Sequence, residues 1–322
     1  MVLKRMMAAL GVGGPSVDTV LADPNVRPGQ VLTGEVRIMG GEQDVEIEHV
    51  ALGLMTRVEV EGGDNDYNAN VEFHRGAVAG RFRLPAKTPH TVPFQMPVPW
   101  ETPVTHVQGQ HLRGMTLGVR TELAIARAVD KGDMDPINVH PLPSQERVLQ
   151  AFQQLGCGFR SADLERGVIQ GARQALPFYQ EIEFFPPQNY AGRIKEIELT
   201  FIADPQGLLV VLEADKRGGL FQAGGDAYGR FHLSHEEALQ ADWAAHLNSW
   251  LAQVSQRGYP GAHGMSGHHG MPGRHGMSGH HGHRGHGLGV GEMATGAAAG
   301  FLGGMLAGEA LEQIGDTFFG ED

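Results

Sequence analysis

Between residues 27 and 61 the chain alternates so regularly that it fixes the class of fold. The stretch RPGQVLTGEVRIMGGEQDVEIEHVALGLMTRVEVE opens on the turn pair Pro28-Gly29, and Leu32, Gly34, Val36 and Ile38 then share one parity. Strand side chains alternate faces with period two, so this is a half-buried strand. Gly40-Gly41 breaks it and a second run begins. Val45 and Ile47 fall on odd positions, whereas Val50, Leu52, Leu54, Val58 and Val60 fall on even ones. A parity flip near His49 inside one extended run predicts a β-bulge, one extra residue that re-aims the strand. Asp44, Glu46, Glu48, Arg57, Glu59 and Glu61 take the opposite face. The stretch reads as an antiparallel ribbon with one dry and one wet face. Such a ribbon cannot bury its dry face alone, so a second sheet must cover it, which implies a β-sandwich.

The rest of the first half continues the pattern. Residues 16–21 alternate weakly and make a first strand; 71–74 and 80–84 make two more, after a loop at 62–70 rich in Gly, Asn and Asp. Val92, Phe94, Met96 and Val98 alternate with Pro93, Gln95, Pro97 and Pro99. Proline lacks the N–H for a ladder, which places this strand at an edge, with Trp100 closing the core beside it. Met115, Leu117, Val119, Leu123 and Ile125 share a parity over 115–126. The segment Lys131-Gly132-Asp133-Met134-Asp135-Pro136 reads as a break, and a domain boundary is expected there, giving sandwiches at 1–132 and 133–258.

The second half starts extended at 137–141. Ser144 is expected to cap a helix whose apolar face is Val148, Leu149, Phe152 and Leu155, with Gly156 as its stop. Phe178, Ile182 and Phe184 mark one strand and Ile197, Leu199, Phe201 and Ala203 another; Asp204-Pro205-Gln206-Gly207 turns the chain into a return strand at 208–213. The glycine-rich 218–230 reads as a loop and 228–233 as a final strand. Ser234-x-x-Glu237 is a capping box that opens a single helix running to Gly258. Its Leu239, Trp243, Leu247, Trp250, Leu251 and Val254 recur at helical spacing, so the tryptophans pack the helix onto the second sandwich rather than face a partner.

Two segments carry a resemblance. LKRMMAALGVGGPSVDTVLADPNVRPGQVLTGEVRIMGG and INVHPLPSQERVLQAFQQLGCGFRSADLE resemble the bacterial sporulation-control family known as stage-zero sporulation protein M. The resemblance covers roughly residues 1–258. It implies two tandem arrestin-like β-sandwich domains with a few short helices, and a cytoplasmic regulator that acts through protein contacts. It supplies no catalytic residue and no cofactor.

Composition removes several alternatives. A formal charge of −12 without a basic run excludes nucleic-acid binding driven by phosphate contacts. Cys157 is the only cysteine, so neither an intrachain disulfide nor a thiolate zinc cluster can form. It follows a helix C-terminus, where the dipole opposes a thiolate, and an inert thiol is expected. The N-terminal MVLKRMMAALGVGG reads as an amphipathic helix ending at Gly11, too short in its apolar run for a signal peptide. Asp64-Asn65-Asp66 starts like a calcium loop, but Ala69 stands where the turn needs glycine and Arg75 where a bidentate Glu is required. Gly11-Val12-Gly13-Gly14 follows no strand, and no Walker A, H-E-x-x-H or G-x-S-x-G sequence occurs. Glu46, Glu48 and Glu59 read as a solvated face. No catalytic residue is expected and the protein is read as a non-enzyme.

The tail changes character twice. Residues 259–290 repeat a six-residue unit (GMSGHH, GMPGRH, GMSGHH) and read as a flexible Gly/His linker. His268, His269, His280, His281 and His283 are weak metal candidates, and a metal-handling protein built on this repeat is the alternative reading of the whole chain. In 291–322, Gly296, Gly300, Gly304 and Gly308 recur every four residues and would line one face of a helix, as in small-xxx-small contacts. This segment is expected to dock on an unknown protein partner, a second copy or a membrane surface, since its glycines disfavour a free helix.

Overall fold

The computed structural model describes residues 13–60, 67–126, 131–216 and 229–256. Its first half carries strands β1 (Ser16–Leu21), β2 (Asn25–Val26), β3 (Val31–Met39), β4 (Val45–Val60), β5 (Tyr67–Ala79), β6 (Phe82–Leu84), β7 (Pro89–Pro97), β8 (His106–Val107), β9 (Gln110–His111), β10 (Leu117–Ile125) and β11 (Lys131–Pro136). One sheet has the order β1-β3-β7, antiparallel throughout. The proline-rich β7 does lie at its edge. The other sheet is built on β4, flanked by β5 and β6 on one side and by β10, then β11, on the other. Leu32, Val36 and Ile38 of β3 and Ile47, Val50, Leu52 and Leu54 of β4 are buried in one core.

β3 and β4 are therefore not a ribbon. They lie in the two different sheets and do not pair. Gly40 and Gly41 carry the chain across, because a Cβ on Gly40 would meet the Pro85 carbonyl and one on Gly41 the Gly13 carbonyl. The bulge is where the parity flip puts it: Ala124 lies opposite His49 but Ile125 opposite Ile47, which leaves Glu48 as the extra residue. A second correction concerns 131–136, which is no break. It is β11, antiparallel to β10, and its Asp133 carboxylate accepts the Thr19 amide of β1 at 2.9 Å.

The second half carries β12 (Asn138–Val139), helix α1 (Pro143–Gln154), β13 (Gly158–Arg166), β14 (Phe178–Phe185), β15 (Ile194–Ala203), β16 (Gly207–Lys216), β17 (Gly229–Ser234), α2 (His235–Gln240) and α3 (Trp243–Gln256). β13 to β17 form an antiparallel run that joins the large sheet where Glu165 pairs with Glu59, in parallel sense. β4 thus pairs with β10 as far as Thr56 and meets β13 at Glu59. The described residues fall in one compact unit, Met1–Gly258.

Helix α1 starts one residue before the expected cap. Pro143 occupies the first turn, and the Gln145 side chain accepts the Leu142 amide at 2.8 Å. Gly156, at φ +80°, ends the helix, and Phe152 is 0 % exposed with its ring centre 4.3 Å from that of Phe184. The last helix is two helices. The Ser234–Glu237 capping box opens α2 as expected, but Ala241 is extended and Asp242 restarts the chain by accepting the Ala245 amide at 3.0 Å. Aspartate's short carboxylate favours a cap over a helix interior, which helical periodicity alone does not register. Trp243 and Trp250 are both buried. The Trp243 indole donates to the Ala238 carbonyl at 2.7 Å.

A strap at 100–105 ties the halves together. The Glu101 carboxylate accepts the amides of Ala175 and Leu176, and the Gln180 side-chain amide bonds both the N–H and the C=O of Val104. The Trp100 ring covers Gly29, which has φ +77° and no room for a Cβ beneath the indole, and stacks on His235.

Candidate functional site

The inward faces of β13 to β16 are apolar: Ala162, Leu164, Ile182, Phe184, Ile197, Leu199, Val210 and Leu212 are buried in the core. Alternation sends their neighbours to the other face, and the ladder register lines those neighbours up. Asp163 lies opposite Glu181, Glu183 opposite Glu198, and Glu198 opposite Glu213. Four residues far apart in sequence become one acidic stripe across four strands.

One border of the stripe is neutralised. Arg160 pairs with Glu196 and, at 3.3 Å, with Glu183; Lys195 reaches Asp215 at 2.9 Å. The middle is different. Burial, then the neighbouring Glu198, raises the Glu181 carboxyl to about 8. Burial and the charge of Glu183 raise Asp163 to about 7, and burial with Glu213 raises Glu198 to about 7. The Tyr179 phenol beside them is pushed up to about 12, again chiefly by burial. One oxygen each of Asp163, Glu165 and Glu181 lies within 4.8 Å of the other two. Asp163 Oδ1 is buried with no hydrogen-bond partner.

Beside this group opens a cleft of about 480 Å³ lined by Tyr179, Glu181, Glu198, Thr200, Glu213 and Arg230. Val168, Ile169 and Val211 give it an apolar rim. The Arg230 guanidinium is turned away to the Gln170 carbonyl. Carboxylates that resist ionising in a cleft are stabilised by any cation that enters. The arrangement therefore accepts an ammonium or guanidinium group, with aliphatic carbon against the rim.

Ser144 and His235 form a second polar pair. The Asp204 carbonyl can only accept, so His235 Nε2 donates to it at 2.8 Å and Nδ1 accepts the Ser144 hydroxyl at 2.8 Å. Ser144 is 2 % exposed, so the pair fastens α1 to α2 and to the β15–β16 turn rather than presenting a nucleophile. Cys157 is pushed up to about 12 by burial, in line with the inert thiol expected. Glu46 and Glu48 are exposed, as a solvated face requires. Glu59 is half-buried at the end of the acidic stripe.

His268, His269, His280, His281 and His283, and Gly296, Gly300, Gly304 and Gly308, lie outside the described residues, as do the N-terminal helix of 1–11 and Asp64-Asn65-Asp66. The acidic cleft was not found from sequence. Its residues sit on four strands, and only the period-two spacing of Asp163 with Glu165 and of Glu181 with Glu183 hinted at a shared face. Among the described residues no helix is long and apolar enough to cross a membrane.

The architecture, mostly strands with few short helices and a large sheet continued across both halves, defines an all-β, arrestin-like protein. Within that class the chain belongs to the family described as SpoOM protein, whose model matches residues 3–218. It is 33 % identical over 215 residues to the sporulation-control protein spo0M of Bacillus subtilis (strain 168), covering 66 % of this chain and 80 % of that one. The crystal structure of Spo0M from Bacillus subtilis superposes with a TM-score of 0.65 at 29 % identity, covering 75 % of this chain and 99 % of that one.

Proposed function

We propose that the protein is a non-enzymatic regulator of the sporulation-control type, which acts by binding a protein partner that presents a basic side chain to the acidic cleft. The observation that carries this reading is the central carboxylate group of Asp163, Glu181 and Glu198, raised together beside a cleft open to an incoming cation. A buried carboxylate gains most from a desolvated partner charge, and such pairs set specificity and orientation at interfaces. Family membership supports the regulatory role, and the apolar rim gives the partner's neighbouring residues something to cover. Its setting in this reading is the cytoplasm, with the C-terminal segment as the route to self-association or peripheral membrane contact.

The test is affinity capture from a host lysate with three baits: the full chain, a chain ending at Gly258, and the full chain with Glu181→Gln and Glu198→Gln. A partner retained by the first two and lost by the third, and eluted by raised salt, supports the cleft. A partner lost on removing the tail and indifferent to the two glutamines transfers the function to the tail and its histidine repeat.

A further inference from the structure

Three histidines of the folded body meet at one place. The sequence HVQGQH folds as the β8–β9 hairpin, in which Gln108 (φ +52°) and Gly109 (φ +78°) make a two-residue turn with both φ positive. Such a turn sets the flanking residues directly opposite each other on one face. His106 and His111 are that pair, with ring centres 5.0 Å apart. The third ring comes from the segment that leads into the second half. His140 is held by its amide on the Val26 carbonyl, next to the β2–β12 pairing, and its ring centre is 5.4 Å from that of His106.

These separations fit one ion. Zinc lies about 2.0–2.1 Å from a ring nitrogen, hence roughly 3.2 Å from the ring centre, and two rings at the tetrahedral angle have centres about 5.2 Å apart. The outer contacts are also those of ligand histidines, which hold their second nitrogen on a protein oxygen. His140 Nε2 donates to the Asn25 amide oxygen at 3.0 Å, and the Asn25 amide nitrogen is in turn fixed on the Asp23 carboxylate at 2.9 Å. His140 Nδ1 therefore keeps a free lone pair. His106 Nδ1 lies 3.0 Å from the Thr105 hydroxyl, itself held by the Val139 amide at 2.9 Å, which leaves Nε2 for an ion. His111 is exposed, and its ring can rotate to close the set.

We propose that His106, His111 and His140 form a binding site for a first-row divalent transition metal of the zinc class, which pins the β8–β9 hairpin to the segment entering the second half. Three neutral imidazoles suit such ions and leave a fourth position for water. Burial, then the charges of His111 and His140, holds the His106 ring below the usual histidine range, so it is unprotonated at neutral pH as a ligand must be. The Gln108 side chain donates to Gln153 of α1 at 2.9 Å, so an ion here also steadies the hairpin against that helix.

The histidine repeat of the tail also takes up metal, so uptake alone cannot decide the matter. Thermal unfolding of the full chain with zinc chloride or with chelator reads only metal coupled to the folded body. At a hundredfold excess of zinc over Kd, Tm rises by about 5–10 °C in the wild type. The rise disappears in His111→Ala with His140→Ala, and persists when His268, His269, His280, His281 and His283 are all replaced by alanine. Cobalt(II) gives the intense ligand-field bands of a tetrahedral site in the wild type and the tail variant, and loses them in His111→Ala alone. His111 is exposed, so that variant keeps the metal-free Tm of the wild type. Absence of a zinc-dependent rise in the wild type, its survival in the His111/His140 variant, or its loss with the tail histidines overturns the proposal.

Discussion

Replacing Glu181 by glutamine should stabilise the protein, and only above a definite pH. Glu181 sits at the centre of the acidic stripe with its carboxyl raised from an ordinary 4.5 to about 8 by burial and by Glu198. The folded chain then holds this proton up to about pH 8, whereas the unfolded chain releases it near 4.5. Between those values the folded state binds more protons, so stability falls as pH rises through the window and levels off above it. At about 1.4 kcal/mol per pH unit the full difference is roughly 4–5 kcal/mol. Solvent at the cleft mouth screens the charge and the neighbouring carboxyls share the proton, which leaves about 2 kcal/mol. Glutamine keeps the shape and has no proton to lose. Glu181→Gln should match the wild type at pH 4.5, gain progressively, and exceed it by about 2 kcal/mol at pH 8.5, or about 4–8 °C in Tm. Urea unfolding at half-unit steps of pH measures this, with equal m-values as the check that only stability has changed. A difference that stays constant with pH, or a variant less stable at pH 8.5, refutes the reasoning.

Phe152→Ala should cost about 3–5 kcal/mol, since the ring is fully enclosed between α1 and β14; chemical denaturation reads it, and a loss under 1 kcal/mol removes α1 from the core. Cys157 should resist iodoacetamide at pH 8 in the native protein and react at once in urea, because its thiol is pushed up to about 12. Gly300→Leu with Gly304→Leu should abolish self-association or membrane recruitment, measured by sedimentation and fractionation, while thermal unfolding of the body stays unchanged.

The strands were legible wherever alternation and turn residues agreed. Val31–Met39, Val45–Val60 and Ile194–Ala203 stand at the positions their parity marked. Parity tells which face a residue takes, however, and not which strand lies alongside. That is why β3 and β4 looked like one ribbon and are members of opposed sheets. β13 went unread because Arg160, Asp163 and Glu165 outnumber its two buried residues, Ala162 and Leu164. The same blindness hid the acidic cleft, whose carboxylates meet only through ladder register. The three body histidines were hidden likewise, since 29 residues separate His111 from His140.

β4 has a consequence for how such a chain can vary. Its sixteen residues pair first with β10 and then reach β13, so a single inserted or deleted residue near His49 shifts everything beyond it to the opposite face. The error would surface in both halves at once, exposing Leu52 and Leu54 in one and misplacing the Glu59–Glu165 pairing in the other. The two halves are consequently not interchangeable modules. Grafting either onto a relative's other half requires cutting within a continuous strand, and length changes accumulate in the loops instead.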